Sequence, residues 1–112
     1  GKFFPVFNNS LLWIETMDSE TKQDLTHFRK QIDALDDQIM NLIAERFAIC
    51  AEVGHFKATH GIAVMQPERA AAVKERNVAR GEAEGLRPVF TNALYELLIN
   101  EACALENEII DG

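Results

Sequence analysis

Three observations predict an all-α fold. Apolar residues recur at steps of three and four along most of the chain. Pro67, Pro88, Gly61 and Gly85 fall at sites that read as helix ends. No stretch alternates apolar with polar residues as a half-buried strand would. The spacing gives three helices, one of them very long.

The first helix runs from Ser19 to about His60, a stretch without proline whose only glycine is Gly54. Asp18 or Ser19 supplies an N-cap. Its stripe passes through Leu25, Phe28, Ile32, Leu35, Ile39 and Leu42. It is broken by Arg46 and resumes at Ile49, Val53 and Phe56, with Lys57 alongside. About forty residues at 1.5 Å each give roughly 60 Å of helix. Gly61 is placed to end it. After the loop "GIAVMQ", Pro67 suits a first helical turn and opens a second helix that ends near Gly85. Pro88 opens the third, whose stripe is Phe90, Leu94, Leu97, Leu98, Leu105 and Ile109.

The 112 residues make one domain. The segment "GKFFPVFNNSLLWIETM" reads as an extension over residues 1–18, disordered or appended, ahead of a helical domain over residues 19–112. It lacks the uninterrupted apolar core and cleavage site of a signal peptide. Its aromatics alternatively serve to pack on a partner. A 60 Å helix cannot hide its stripe inside a monomer whose diameter is about 30 Å. An obligate homodimer with a shared core is therefore expected.

The net charge of −7 excludes the basic face that nucleic acid requires. It also speaks against an anionic membrane surface. It leaves room for a small anion, because a few cations in a cleft outweigh a distant acidic surface. No apolar run has the length of a membrane span. Cys50 and Cys103 lie in helical stretches with no metal-ligand spacing, and read as reduced, buried thiols of a cytoplasmic protein. His27, His55 and His60 read as surface or helix-end residues, and no metal site is expected.

Arg46 and Lys57 are the unexpected members of the stripe. Eleven residues are close to three turns, so both project from nearly one face, about 16 Å apart. A small anion with two charged ends would fit between them. An ion pair of Arg46 with Glu45, Glu52 or an acid on a neighbouring helix accounts for the same spacing. Lys57 alone reads equally as a lysine reaching to water near a helix end. Arg29 lies about 25 Å before Arg46, too far to share a ligand within one chain. The Arg29 of a second, antiparallel copy is not too far. Arg69, in the first turn of the second helix, follows the loop that returns from Lys57. Glu106 adjoins the apolar face of the third helix, or belongs to the acidic tail "ENEIIDG".

The run "FRKQIDALDDQIMNLIAERFAICAEVGHFK", followed by a loop, "PER" and a closing helix, resembles the all-helical chorismate mutase family from about Leu25 to Ile110. The resemblance implies an intertwined homodimer of three-helix subunits with active sites among the helices. It assigns carboxylate binding to Arg46 and, from the other subunit, Arg29. It assigns catalysis to Lys57 and a loop-following substrate contact to Arg69. Glu106 matches the polar residue of the third helix, often glutamine. The reaction implied is the pericyclic rearrangement of chorismate, a small dianion, to prephenate, with no nucleophile and no cofactor. Such an isomerase holds a folded conformer and stabilises charge on the ether oxygen as the C–O bond breaks. Glu106 can donate there only when protonated, which calls for burial. A shikimate-pathway enzyme is a further partner that the family implies.

Three positions depart from the family pattern. Gln66, still counted among the substrate-binding residues, stands where aspartate is common. Ala70 replaces a glutamate that contacts the C4 hydroxyl. Ala102 replaces a serine that contacts a carboxylate. These changes keep open two sister reactions, an isochorismate-pyruvate lyase and a 4-amino-4-deoxychorismate mutase. They also keep open a non-enzymatic, partner-binding dimer.

Overall fold

The computed structural model describes residues 18–112 and has the expected three helices: α1, Ser19–His60, α2, Pro67–Ala83, and α3, Pro88–Asp111. There is no strand among the described residues. The expectations placed on residues 1–17 lie outside them. The chain divides into two compact units, residues 1–42 and 43–112, with the boundary inside α1.

In the first unit, Asp18 caps α1: its Oδ1 accepts the backbone N–H of Thr21 at 2.8 Å. That hydrogen bond holds the Asp18 carboxyl below its ordinary range. The apolar stripe of this segment faces solvent. Phe28, Ile32, Leu35, Ile39 and Leu42 are each at least half exposed.

The second unit holds the C-terminal part of α1 with α2 and α3. Two glycine turns set its connections. The Gly61 backbone has φ 65°, and the Ile62 N–H returns to the Lys57 carbonyl at 3.0 Å. Gly85 has φ 87°, and the Leu86 N–H returns to the Gly81 carbonyl at 2.9 Å. Both are Schellman closures, in which a left-handed residue lets the chain leave the helix while its last carbonyls stay bonded. α2 ends at Ala83, just before the expected Gly85. Pro67 and Pro88 occupy first-turn positions, where a missing N–H costs nothing.

The α2–α3 seam is tight at Gly81, where a Cβ would lie 2.7 Å from Thr91 Oγ1. Thr91, Val73, Ala102 and Glu106 are buried in this unit, and no large side chain is fully buried. A charged residue is thus among the most enclosed groups of the unit. Such a group persists only with a partner.

Candidate active site

The C-terminal half of α1, the loop over residues 61–66, α2 and α3 enclose a cavity of about 570 Å³. Its walls are mostly apolar, including Ile49, Val53, Val73 and Ile99. Four of the residues singled out from the sequence line it: Arg46, Lys57, Gln66 and Arg69. Ala70 and Ala102, which depart from the family pattern, also line it. Helical spacing explains the gathering: residues 46, 49, 50, 53, 56 and 57 lie on one face of α1.

Glu106 stands behind Lys57. Its side chain is 7% exposed and that of Lys57 15%. Lys57 Nζ donates to Glu106 Oε1 at 2.8 Å and to the Val64 carbonyl at 2.9 Å. The lysine therefore neither reaches to water nor stands alone, and Glu106 is not a surface residue of the acidic tail. With two of three ammonium hydrogens fixed, the head group is held in place. Residue 57 also ties the loop twice, because its own carbonyl accepts the Ile62 N–H.

Gly54 makes the pair possible. A Cβ there would stand 3.2 Å from Glu106 Cα, 3.2 Å from its Cγ and 3.3 Å from Ile109 Cδ1. The close approach of α3 to α1 at this level brings the carboxylate to the lysine.

Arg46 has no carboxylate partner among the described residues. Its guanidinium instead lies 5.8 Å from the centroid of the Tyr95 ring, within cation–π range. Gln66 donates through Nε2 to the Ala63 carbonyl at 3.1 Å and so braces the loop. Arg29 belongs to the first unit, is exposed, and is not a lining residue of this cavity.

One expectation changes. Cys50 and Cys103 are free but only partly buried, and both line the cavity. Burial pushes the Cys50 thiol up, against the pull of Arg46 and Lys57. The placement was readable: Cys50 lies one turn after Arg46, and Cys103 one turn before Glu106. Tyr95 and the Val64 carbonyl were not anticipated. No group of His, Cys, Asp and Glu suited to a metal ion occurs among the described residues. No helix there is long and apolar enough to cross a membrane.

The arrangement is two cations in a largely apolar cavity, one of them paired with a buried carboxylate, and a third at the end of the loop. It can bind a small dianion in partial isolation from water and present an N–H donor to a developing negative charge. The family model described as chorismate mutase type II matches residues 28–107. The 4-amino-4-deoxychorismate mutase of Streptomyces pristinaespiralis is 38% identical over 87 residues, covering 77% of this chain and 67% of that protein. The protein of the same name from Streptomyces venezuelae is 29% identical over 89 residues, 80% of this chain and 86% of that one. The chorismate mutase of Methanocaldococcus jannaschii is 27% identical over 89 residues, 80% of this chain and 90% of that one.

Proposed function

The chain belongs to the chorismate mutase type II family, and we propose that it rearranges chorismate to prephenate in the cavity around Lys57. The observation that carries this reading is the Lys57–Glu106 pair, held at 2.8 Å in the wall of an apolar cavity that also carries Arg46 and Arg69. In the reaction one C–O bond of the enolpyruvyl ether breaks as a C–C bond forms, and no atom leaves the substrate. The protein needs only to hold the folded conformer and stabilise the ether oxygen. Arg46 and Arg69 take the carboxylates, Gln66 orders the loop and contacts the substrate, and Lys57 donates to the ether oxygen.

Glu106 acts on the same oxygen through Lys57, whose ammonium it fixes at 2.8 Å. Glu106→Gln keeps an acceptor for the lysine but removes the opposing charge, and is expected to lower kcat/KM. A kcat/KM that Glu106→Gln leaves unchanged would remove Glu106 from the mechanism.

The exposed stripe of α1 supports assembly as a homodimer. Two copies would cover each other's Phe28, Ile32, Leu35, Ile39 and Leu42, and each copy would lend its Arg29 to the other's cavity. Sedimentation equilibrium is expected to give twice the chain mass of 12.6 kDa. A monomer at micromolar concentration would overturn the assembly.

A second reading is favoured by Ala70, which leaves this part of the cavity wall without an acid, and by two relatives that carry the name 4-amino-4-deoxychorismate mutase. In it the substrate bears an amine at C4. Product analysis by NMR, with chorismate, 4-amino-4-deoxychorismate and isochorismate supplied separately, decides. Prephenate from chorismate supports the first reading, and rearrangement of the amino compound alone supports the second. Salicylate and pyruvate from isochorismate, with the other two untouched, would overturn both.

A further inference from the structure

The two cations of the α1 face each meet a residue of α3. Lys57 donates to Glu106 at 2.8 Å, and the Arg46 guanidinium stands 5.8 Å from the centroid of the Tyr95 ring. Arg46 and Lys57 are eleven residues apart, and so are Tyr95 and Glu106. Both spacings are close to three turns, about 16 Å of helix. α1 and α3 therefore run side by side in one direction here, and one face of α3 holds both cations. Between its two ends that face carries Ile99, Ala102 and Cys103, which line the cavity. The two contacts differ in kind. A carboxylate neutralises the ammonium that it holds. An aromatic ring attracts a guanidinium through its quadrupole and leaves the charge and the N–H donors free. Arginine suits such a contact, being planar and weakly hydrated. Arg46 and Tyr95 are both half-buried, where the attraction is stronger than at an exposed site. Tyr95 borders a small space of about 280 Å³ that shares Arg46 with the larger cavity, and is not a lining residue of the larger cavity itself. The ring meets the arginine without meeting what that cavity holds.

We propose that Tyr95 is a positioning residue for Arg46, its ring holding the guanidinium in place for an anionic group in the cavity while leaving the whole of its charge free to bind. An acid at residue 95 would compete with that anion for the same fork. An aliphatic residue would leave the long Arg46 side chain to be ordered at the moment of binding, at an entropic cost. The matched spacing divides the work of α3 between its two ends. Glu106 fixes the donor to the ether oxygen, and Tyr95 fixes a carboxylate anchor. The placement of Arg46 by Tyr95 is independent of the reaction assigned above; its effect on KM rests on that reading.

The test compares Tyr95→Phe, which keeps a ring, with Tyr95→Leu, which keeps apolar bulk without one, in the full chain. The first readout is the Arg46 Nε–Hε resonance of the ligand-free protein, assigned by its loss in Arg46→Gln. Protons over a ring face are shifted upfield, so wild type and Tyr95→Phe are expected to share that shift and Tyr95→Leu to lose it. The second readout is steady-state kinetics on whichever of the three substrates is turned over. Tyr95→Leu is expected to raise KM roughly three- to tenfold. An anchor that holds ground and transition states alike affects binding alone, so kcat should change by less than about twofold. Tyr95→Phe rescues KM. In an Arg46→Gln background Tyr95→Leu should add nothing to KM, whereas a merely structural role would carry its cost into that background undiminished. An Arg46 resonance that Tyr95→Leu leaves in place overturns the proposal whatever the kinetics. So does a KM effect that persists in full in Arg46→Gln. Absence of turnover with all three substrates would overturn the reaction assigned above instead, and the resonance alone would then decide for or against Tyr95.

Discussion

Lys57→Ala is expected to lower kcat by roughly 100- to 1,000-fold, the usual effect of removing one preorganised donor from a developing oxyanion. KM should change less, since Arg46 and Arg69 remain to hold the carboxylates. The same substitution strands Glu106, whose side chain is 7% exposed, without its ammonium partner. That costs stability on the order of 1–3 kcal/mol. The two losses separate in a second variant. Lys57→Ala combined with Glu106→Ala removes the stranded carboxylate and should recover much of the stability, but none of the turnover. Thermal denaturation and initial rates on the two proteins give both quantities. If the double variant regained activity along with stability, Lys57 would be a structural residue and its place in the mechanism would be lost.

Gly54 is expected to be nearly as sensitive, though it touches no ligand. Alanine there is the better helix former by about 1 kcal/mol. Its Cβ would press on Glu106 Cα and Cγ at 3.2 Å and on Ile109 Cδ1 at 3.3 Å. α3 must then yield by a few tenths of an ångström. These effects oppose each other, so Gly54→Ala should keep close to wild-type stability. It should nevertheless turn over several-fold more slowly, because the displaced group is the carboxylate that fixes Lys57. Gly54→Val adds two methyl groups to the same contact. Overpacking of this kind costs about 1–3 kcal/mol, and activity should be abolished. Circular dichroism melts with kcat for both variants test this. A fully active Gly54→Val would show that the α1–α3 approach does not set the site.

The legible parts of this molecule are those written in periodicity. The step of three and four fixed α1, and the arginine and lysine that interrupt its stripe were the first pointers to the cavity. Pro67 and Pro88 mark helix starts through their fixed φ, and Gly61 and Gly85 mark helix ends through their access to positive φ, neither of which needs knowledge of tertiary structure. Glu106 was ambiguous because helical spacing places a side chain on a face and says nothing of what faces it. Its burial depends on Gly54, a residue whose meaning appears only when α3 lies against it. The Val64 carbonyl was invisible because every residue has one. Tyr95 gave no signal, since an aromatic on α3 is equally a core residue. The exposed face of residues 28–42 is the reverse case: its pattern was plain, but what covers it is not a property of a single chain.

The double anchoring of the 61–66 loop on residue 57 gives loop length a chemical meaning. Val64 is reached by a side chain and Ile62 by a main-chain carbonyl of the same lysine. One residue added to or removed from this loop slides its backbone by up to about 3.5 Å, more than a hydrogen bond tolerates. The ammonium would lose its second anchor and turn on Glu106 alone. An insertion or deletion in a surface loop would in this way re-aim a buried cation without altering any residue that meets the substrate. Divergence between sister reactions on this scaffold has a route through chain length as well as through side-chain identity.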